Sequence, residues 1–249
     1  MLPVVSYRLP SLHHQPRMLF IDAAGTLIQP RDRVGEIYSR IAHETGIHLS
    51  PDELQHRFGR FIATQPPMAF GPGLAGDALL HSEQAWWKAL ARDVFGSASD
   101  SPKFDSLFER LFEHFREPGA WLVFPDVVPT LNQLREQGLR LAVISNFDSR
   151  LDEILTGLSL DQHFDAIHFS TRVGYAKPDP RIFQYALTHH DLRAEEVWHV
   201  GDSLRDDVGG ALDAGISPIW LDRQGHDINN ERLIRIQSLV EIPYLLSQE

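Results

Sequence analysis

Four stretches of the sequence place a group able to do chemistry directly after a short apolar run. Asp22 follows residues 18–21, Ser145 follows 139–144, Ser170-Thr171 and then Lys177 follow 166–169, and Asp202 follows 197–200. Such runs, bounded by turn formers, read as buried strands of a parallel sheet. The ends of those strands lie on one edge of the sheet, so groups far apart in sequence can converge there. A carboxylate that can attack, a lysine, a hydroxyl and further carboxylates suit phosphoryl chemistry, in which the carboxylate takes the phosphoryl group as an acyl phosphate. The lysine and hydroxyl would neutralise and position the phosphoryl oxygens. A hard cation, Mg²⁺, would offset the charge of phosphate against acids; without it Asp22 and Asp202 repel and one tends to protonate. Each group also has a plainer reading on its own. Asp22 could cap a strand, Ser145 and Asn146 a turn, Lys177 could be a loop lysine, and Asp206 and Asp207 first-turn acids favoured by the helix dipole.

The elements that must position these groups alternate strand and helix. Residues 127–137, 150–155, 181–188 and 204–214 read as helices between the strands, 218–221 as a last strand, and 233–246 as a weaker helix. That gives about five parallel strands. Between the first strand and residue 121 the pattern is all-helical: 33–45, 50–64 opening on Ser50-Pro51-Asp52-Glu53, 78–95 and 103–115, with a Pro/Gly-rich loop at 65–76. An all-α block inside a βα pattern predicts an inserted second domain. The expected organisation is a lead-in over 1–17, a Rossmann-like, doubly wound α/β core from 18–32 and 119–249, and a helical insert over 33–118.

The composition narrows the function classes. A chain of 249 residues with 43% hydrophobic content is globular. Its formal charge of −11 argues against a nucleic-acid backbone as partner. With no cysteine, zinc-thiolate sites and cysteine nucleophiles are excluded, in keeping with a cytoplasmic setting. No run approaches the length of a membrane span, and the N-terminus is too weakly apolar for a secretory signal. The thirteen histidines show no metal spacing, and His189-His190 reads as a surface pair.

The order Asp22-x-x-Gly25-Thr26, Ser145-Asn146, Lys177-Pro178-Asp179 and Gly201-Asp202-Ser203-x-x-Asp206-Asp207 resembles the four motifs of the haloacid dehalogenase superfamily. The helical insert is similar to the cap domain of subfamily IA, which includes many small phosphatases. The resemblance implies a Mg²⁺-dependent hydrolase acting on a small phosphorylated molecule through an aspartyl phosphate. It implies that Asp22 is nucleophile and metal ligand, and that the backbone oxygen of Ala24 binds the metal. Thr26 would orient the site, Ser145 and Asn146 would bind substrate, and Lys177 would stabilise nucleophile and phosphate. Asp202 and Asp207 would complete the metal site, with Asp206 competing for the second place.

Ala24 departs from that pattern: the family's phosphatases carry there an Asp that protonates the leaving group and activates water. Losing a general acid–base costs typically about 10²–10⁴ in rate. Three expectations follow. The chain is a slow or atypical phosphatase; or it resembles phosphonoacetaldehyde hydrolases, which need a cap lysine such as Lys88 or Lys103; or it is a weakened relative that binds a protein partner. Dehalogenation fits less well, because the family's dehalogenases replace the acid retained here as Asp202.

Overall fold

The computed structural model describes residues 15–226 and 233–247, so most of the expected lead-in lies outside the described residues. Strand β1 (Met18–Ile21) starts the fold. It alternates Leu19 and Ile21 to one core and Met18 and Phe20 to the other, all fully buried. A strand covered on both faces has no polar side, which is why it reads as an unbroken apolar run. Then come β2 (Ile28–Pro30) and four helices: α1 (Val34–Glu44), α2 (Pro51–Ile62), α3 (Gly76–Phe95) and α4 (Phe104–His114). Strand β3 (Trp121–Val123) returns antiparallel to β2, with Ile28 opposite Val123, so the chain leaves and re-enters the sheet region side by side. The remainder runs α5 (Val127–Glu136), β4 (Arg140–Ser145), α6 (Arg150–Gly157), β5 (Ala166–Phe169), α7 (Ser170–Val173), α8 (Pro180–His190), β6 (Val197–Gly201), α9 (Gly210–Asp213), β7 (Ser217–Leu221), β8 (Ile234–Ile236) and α10 (Ile242–Leu246).

The large sheet has the order β5-β4-β1-β6-β7-β8, every pair parallel. Winding goes outward from β1 through β4 to β5, then restarts on the other side at β6. The reversal at β1 opens the crevice in which such sheets bind ligands. Three expectations are corrected. The segment expected as one helix over 233–246 begins as a sixth strand, with Ile234 opposite Ile219; Ile234 and Ile236 alternate about Arg235 and pair with β7, and the helix is confined to Ile242–Leu246. Residues 204–214 open as a π-helical turn, Leu204–Gly209, before α9. Ser50 occupies the N-cap of α2 but makes no capping bond, and Glu53 reaches Arg57 instead of the cap.

The four helices of the insert share their own core, with Ile37, Leu54, Leu90, Val94, Phe104 and Leu107 buried at its centre. Their docking onto the sheet domain is polar and buried. Glu83 of α3, fully buried, accepts from Ser149 N (3.0 Å), Ser149 Oγ (2.6 Å) and Thr171 Oγ1 (2.5 Å). One turn on, Trp87 Nε1 donates to Asp148 (2.5 Å), which is gripped by Arg150 at 2.9 and 2.6 Å. Arg150 in turn donates to Phe112 O (3.0 Å) and lies 4.0 Å from the Phe112 ring centroid. Buried polar groups are tolerated when partnered in this way, and they fix one arrangement of the two parts.

Candidate active site

Asp22 stands one residue past β1, its backbone N–H donating to Val200 O at 2.9 Å. One carboxylate oxygen, Oδ1, accepts from Ser145 Oγ (3.0 Å) at the end of β4 and from Lys177 Nζ (2.6 Å). Lys177, with its side chain 2% exposed, spends its other donors on Asp207 Oδ1 (2.5 Å) and Ile144 O (3.0 Å). Asn146 fixes the loop that carries Lys177: its Nδ2 donates to Lys177 O (2.9 Å) and its Oδ1 accepts from Lys177 N (2.7 Å). Asp207 is held from behind by His199 Nε2 (2.9 Å) and Ser203 N (3.0 Å). The structure thus brings Asp22, Ser145, Lys177, Asp202 and Asp207 together and makes Asn146 the brace of the Lys177 loop.

The π-helical turn separates the two adjacent acids of the last motif. Val208 N–H and Asp207 N–H both return to Ser203 O, at 3.1 and 3.0 Å. The widened turn buries Asp207, while Asp206 faces the space beneath the insert. Two glycines make room for the acids. A Cβ on Gly201 would lie 2.1 Å from Asp207 Cγ, and one on Gly25, whose φ is +91°, would lie 2.4 Å from an Asp202 oxygen.

The charges are unbalanced. Burial raises the Asp22 carboxyl above the usual range, against the pull of Lys177 and with the push of Asp207. Burial and then the charges of Asp22 and Asp207 raise Asp202 to about 7. Asp207 goes the other way: burial opposes its ionisation, but Lys177 and His199 outweigh that and hold it low. Lys177 is disfavoured by burial, yet Asp207 and Asp22 carry it above the ordinary ammonium range. One buried cation therefore faces a set of three close carboxylates, one oxygen of each lying within 4.8 Å of the others. The cluster carries excess negative charge and offers hard oxygens, and it fits a divalent cation of the Mg²⁺ type. Thr26 lies directly behind the Asp22 turn, fully buried, its hydroxyl without a partner among the described residues and its carbonyl accepting from Arg223 (2.8 Å).

A cavity of about 560 Å³ lies between the insert and the sheet domain. Ala24, Asn146, Lys177 and Asp206 line it together with Phe58, Trp86, Phe108, Phe115 and Trp121. The 65–76 loop contributes Gln65, Pro66, Pro67 and Met68. Neither Lys88 nor Lys103 lines it, and Lys88 Nζ pairs with Asp105 at 2.8 Å. A Schiff base on either of these two lysines has no support at this site.

Two sequence readings are corrected here. Ser170 and Thr171 do not reach Asp22: Ser170 Oγ donates to Met68 O (2.7 Å), tethering the 65–76 loop, and Thr171 serves Glu83. His190 is buried, not a surface residue; its Nε2 lies 3.1 Å from His168 Nε2, and only His189 of the pair is exposed. Glu83 and the Asp148–Arg150 pair were missed altogether. A signal was present: Leu79, Glu83, Trp86, Trp87 and Leu90 share one helical face, and an acid inside an apolar stripe asks for a buried partner.

Comparison with known proteins agrees with this geometry. The family model described as haloacid dehalogenase-like hydrolase matches residues 16–215. The chain is 36% identical over 234 residues to the zebrafish (Danio rerio) haloacid dehalogenase-like hydrolase domain-containing protein 3, covering 91% of this chain and 95% of that protein. The human protein of the same name is 37% identical over 204 residues, covering 81% and 80%. Among solved structures, a HAD phosphatase from Thermococcus onnurineus superposes with a TM-score of 0.65 at 26% identity, covering 93% of this chain and 98% of that one. A dehalogenase superposes with a TM-score of 0.71 at 24% identity and shares the fold over 96% of this chain. With the motif order, the parallel sheet and the carboxylate–lysine cluster, these matches establish that the chain belongs to the haloacid dehalogenase-like hydrolases.

Proposed function

We propose that this hydrolase is a Mg²⁺-dependent phosphatase that releases phosphate from a small phosphorylated molecule through an aspartyl phosphate on Asp22. The observation that carries the reading is the buried chain Ser145–Asp22–Lys177–Asp207, in which a nucleophile, a neutralising ammonium and a hydroxyl meet on one oxygen. Asp22, Asp202 and the Ala24 carbonyl would hold Mg²⁺, which when bound supplies positive charge to the phosphoryl oxygens. Asp207 has both oxygens engaged within the protein, so it backs the site by anchoring Lys177.

Lys177 pulls Asp22 toward its ionised form and aims it, and shares its positive charge with the oxygens that gain charge as phosphorus is attacked. Ser145 orients the same carboxylate, and Asn146 keeps Lys177 in place. The helices of residues 33–118 act as a cap over the core of 18–32 and 119–249, shielding the site from water through the cavity they close. The absence of cysteine is in keeping with a reducing cytoplasm; no helix among the described residues is long and apolar enough to cross a membrane. Phosphate release from a panel of phosphate esters, with Mg²⁺ and with chelator, tests the reading. Metal-dependent release that disappears in Asp22→Asn supports it; equal release by the folded variant overturns it.

A further inference from the structure

We propose that the substrate is an aryl phosphate: a phosphate monoester of an apolar phenol whose ring fills the cavity under the helices. The proposal rests on the phosphatase reading above and joins two independent observations.

The first is the lining of the cavity. Its volume, about 560 Å³, lies in the range that takes a drug-sized molecule. Aromatic rings from both sides surround it: Phe58, Trp86 and Phe108 from the insert, Trp121 and Phe147 from beyond it. Aromatic groups pack there with edge and face contacts that an apolar ring can continue. The charged groups on the lining are Lys177, Arg205 and Asp206, with Arg150 already committed to Asp148 and Phe112 O. A sugar or polyol phosphate would leave its hydroxyls facing rings, unpaired.

The second is what stands where the leaving oxygen must depart. Attack by Asp22 expels that oxygen on the side away from the carboxylate, toward the cavity. Ala24 occupies that mouth, solvent-accessible and without a proton to give. Lys177 is committed to three acceptors. The Asp206 carboxylate is paired with Arg205 at 3.9 Å. A leaving group that departs as a stable anion needs no donor. A phenol ionises near about pH 10, as tyrosine does, whereas an alkanol holds its proton roughly as tightly as water, near about 15.7.

The step balances without a protein acid. An Asp22 oxygen bonds to phosphorus as the phosphorus–oxygen bond to the ring breaks, and the electron pair leaves on the phenolate. Water then attacks phosphorus, the acyl bond breaks, and Asp22 is restored as carboxylate. The two protons of that water leave on dihydrogen phosphate, which returns one to the phenolate.

The test compares phenyl and 2-naphthyl phosphate with cyclohexyl phosphate, similar in size and apolarity, and with acetyl phosphate, a good leaving group lacking a ring. It uses full-length wild type and Ala24→Asp with Mg²⁺. Expected is a kcat/KM for the aryl esters at least about 100-fold above cyclohexyl phosphate, the low end of what a general acid supplies. The KM for acetyl phosphate should exceed that for 2-naphthyl phosphate by about tenfold or more, and Ala24→Asp should raise cyclohexyl turnover and narrow the gap. Equal kcat/KM for cyclohexyl and phenyl phosphate would overturn the proposal while leaving the phosphatase reading intact. So would loss of only the cyclohexyl activity in Asp206→Asn, which would reveal a resident acid. No release from any ester by either folded protein would overturn both.

Discussion

Replacing Lys177 by Met removes the one ammonium that sits between Asp22 and Asp207 while keeping the length of the side chain. The lysine is 2% exposed and makes contacts of 2.6, 2.5 and 3.0 Å to Asp22, Asp207 and Ile144 O. Breaking a buried ion pair from one side costs about 3–5 kcal/mol, because the partner charge stays behind without compensation. For a chain of this size each kcal/mol moves Tm by about 2–4 °C, so Lys177→Met should melt roughly 6–20 °C below wild type at about pH 7.5. The pH dependence identifies the cause. Without the ammonium Asp22 is pushed further up and Asp207 loses the largest charge that holds it low, so the folded variant binds more protons than folded wild type over that window. Its stability therefore rises relative to wild type as pH falls toward about 5. Urea unfolding followed by tryptophan fluorescence at the two pH values measures this. A deficit below about 1 kcal/mol, or one that is the same at both pH values, would refute the claim that Lys177 neutralises these carboxylates.

Other predictions concern parts of the molecule away from the nucleophile. Glu83→Ala strips three hydrogen bonds and leaves Ser149 and Thr171 donors buried, which should cost about 3 kcal/mol in urea unfolding. Because Glu83 joins α3 to the sheet domain, the same variant should raise KM for phosphate esters, and an unchanged KM with unchanged stability would count against the docking role. His168 is held by burial and its histidine neighbours at about 3, below its unfolded value of 6.5. The unfolded chain then binds the extra proton below about pH 6.5, and by about pH 5 wild type should have lost about 2 kcal/mol of stability to this group. His168→Gln should flatten that stretch of the stability–pH curve; an identical curve would show that His168 does not carry it.

The sheet was legible because burial on both faces writes a strand as a solid apolar run, and four of those runs end on groups that cannot be ignored: Asp22, Ser145, Lys177 after its short helix, and Asp202. The edge where these groups gather could be drawn from that alone. What escaped was whatever depends on a partner distant in sequence. Ser170 and Thr171 have the same look as Ser145 at a strand end, yet α7 turns them toward Met68 O and Glu83, and no local pattern tells the two outcomes apart. Ile234 and Ile236 form a strand only because β7 offers an edge. Asp206 and Asp207 could not be ranked from sequence, since their separation depends on the extra residue in a π-helical turn. His190 follows a similar rule: its burial comes from packing on His168 across the fold, which adjacent histidines do not announce.

The central claim is that Asp22 carries the phosphoryl group. The most direct measurement mixes the protein and Mg²⁺ with ³²P-labelled phenyl phosphate, quenches in acid within a turnover, and maps the label by proteolysis. The account predicts a hydroxylamine-labile label on the peptide that contains Asp22, absent from Asp22→Asn. Phosphate release at full rate with no label on that peptide would contradict it.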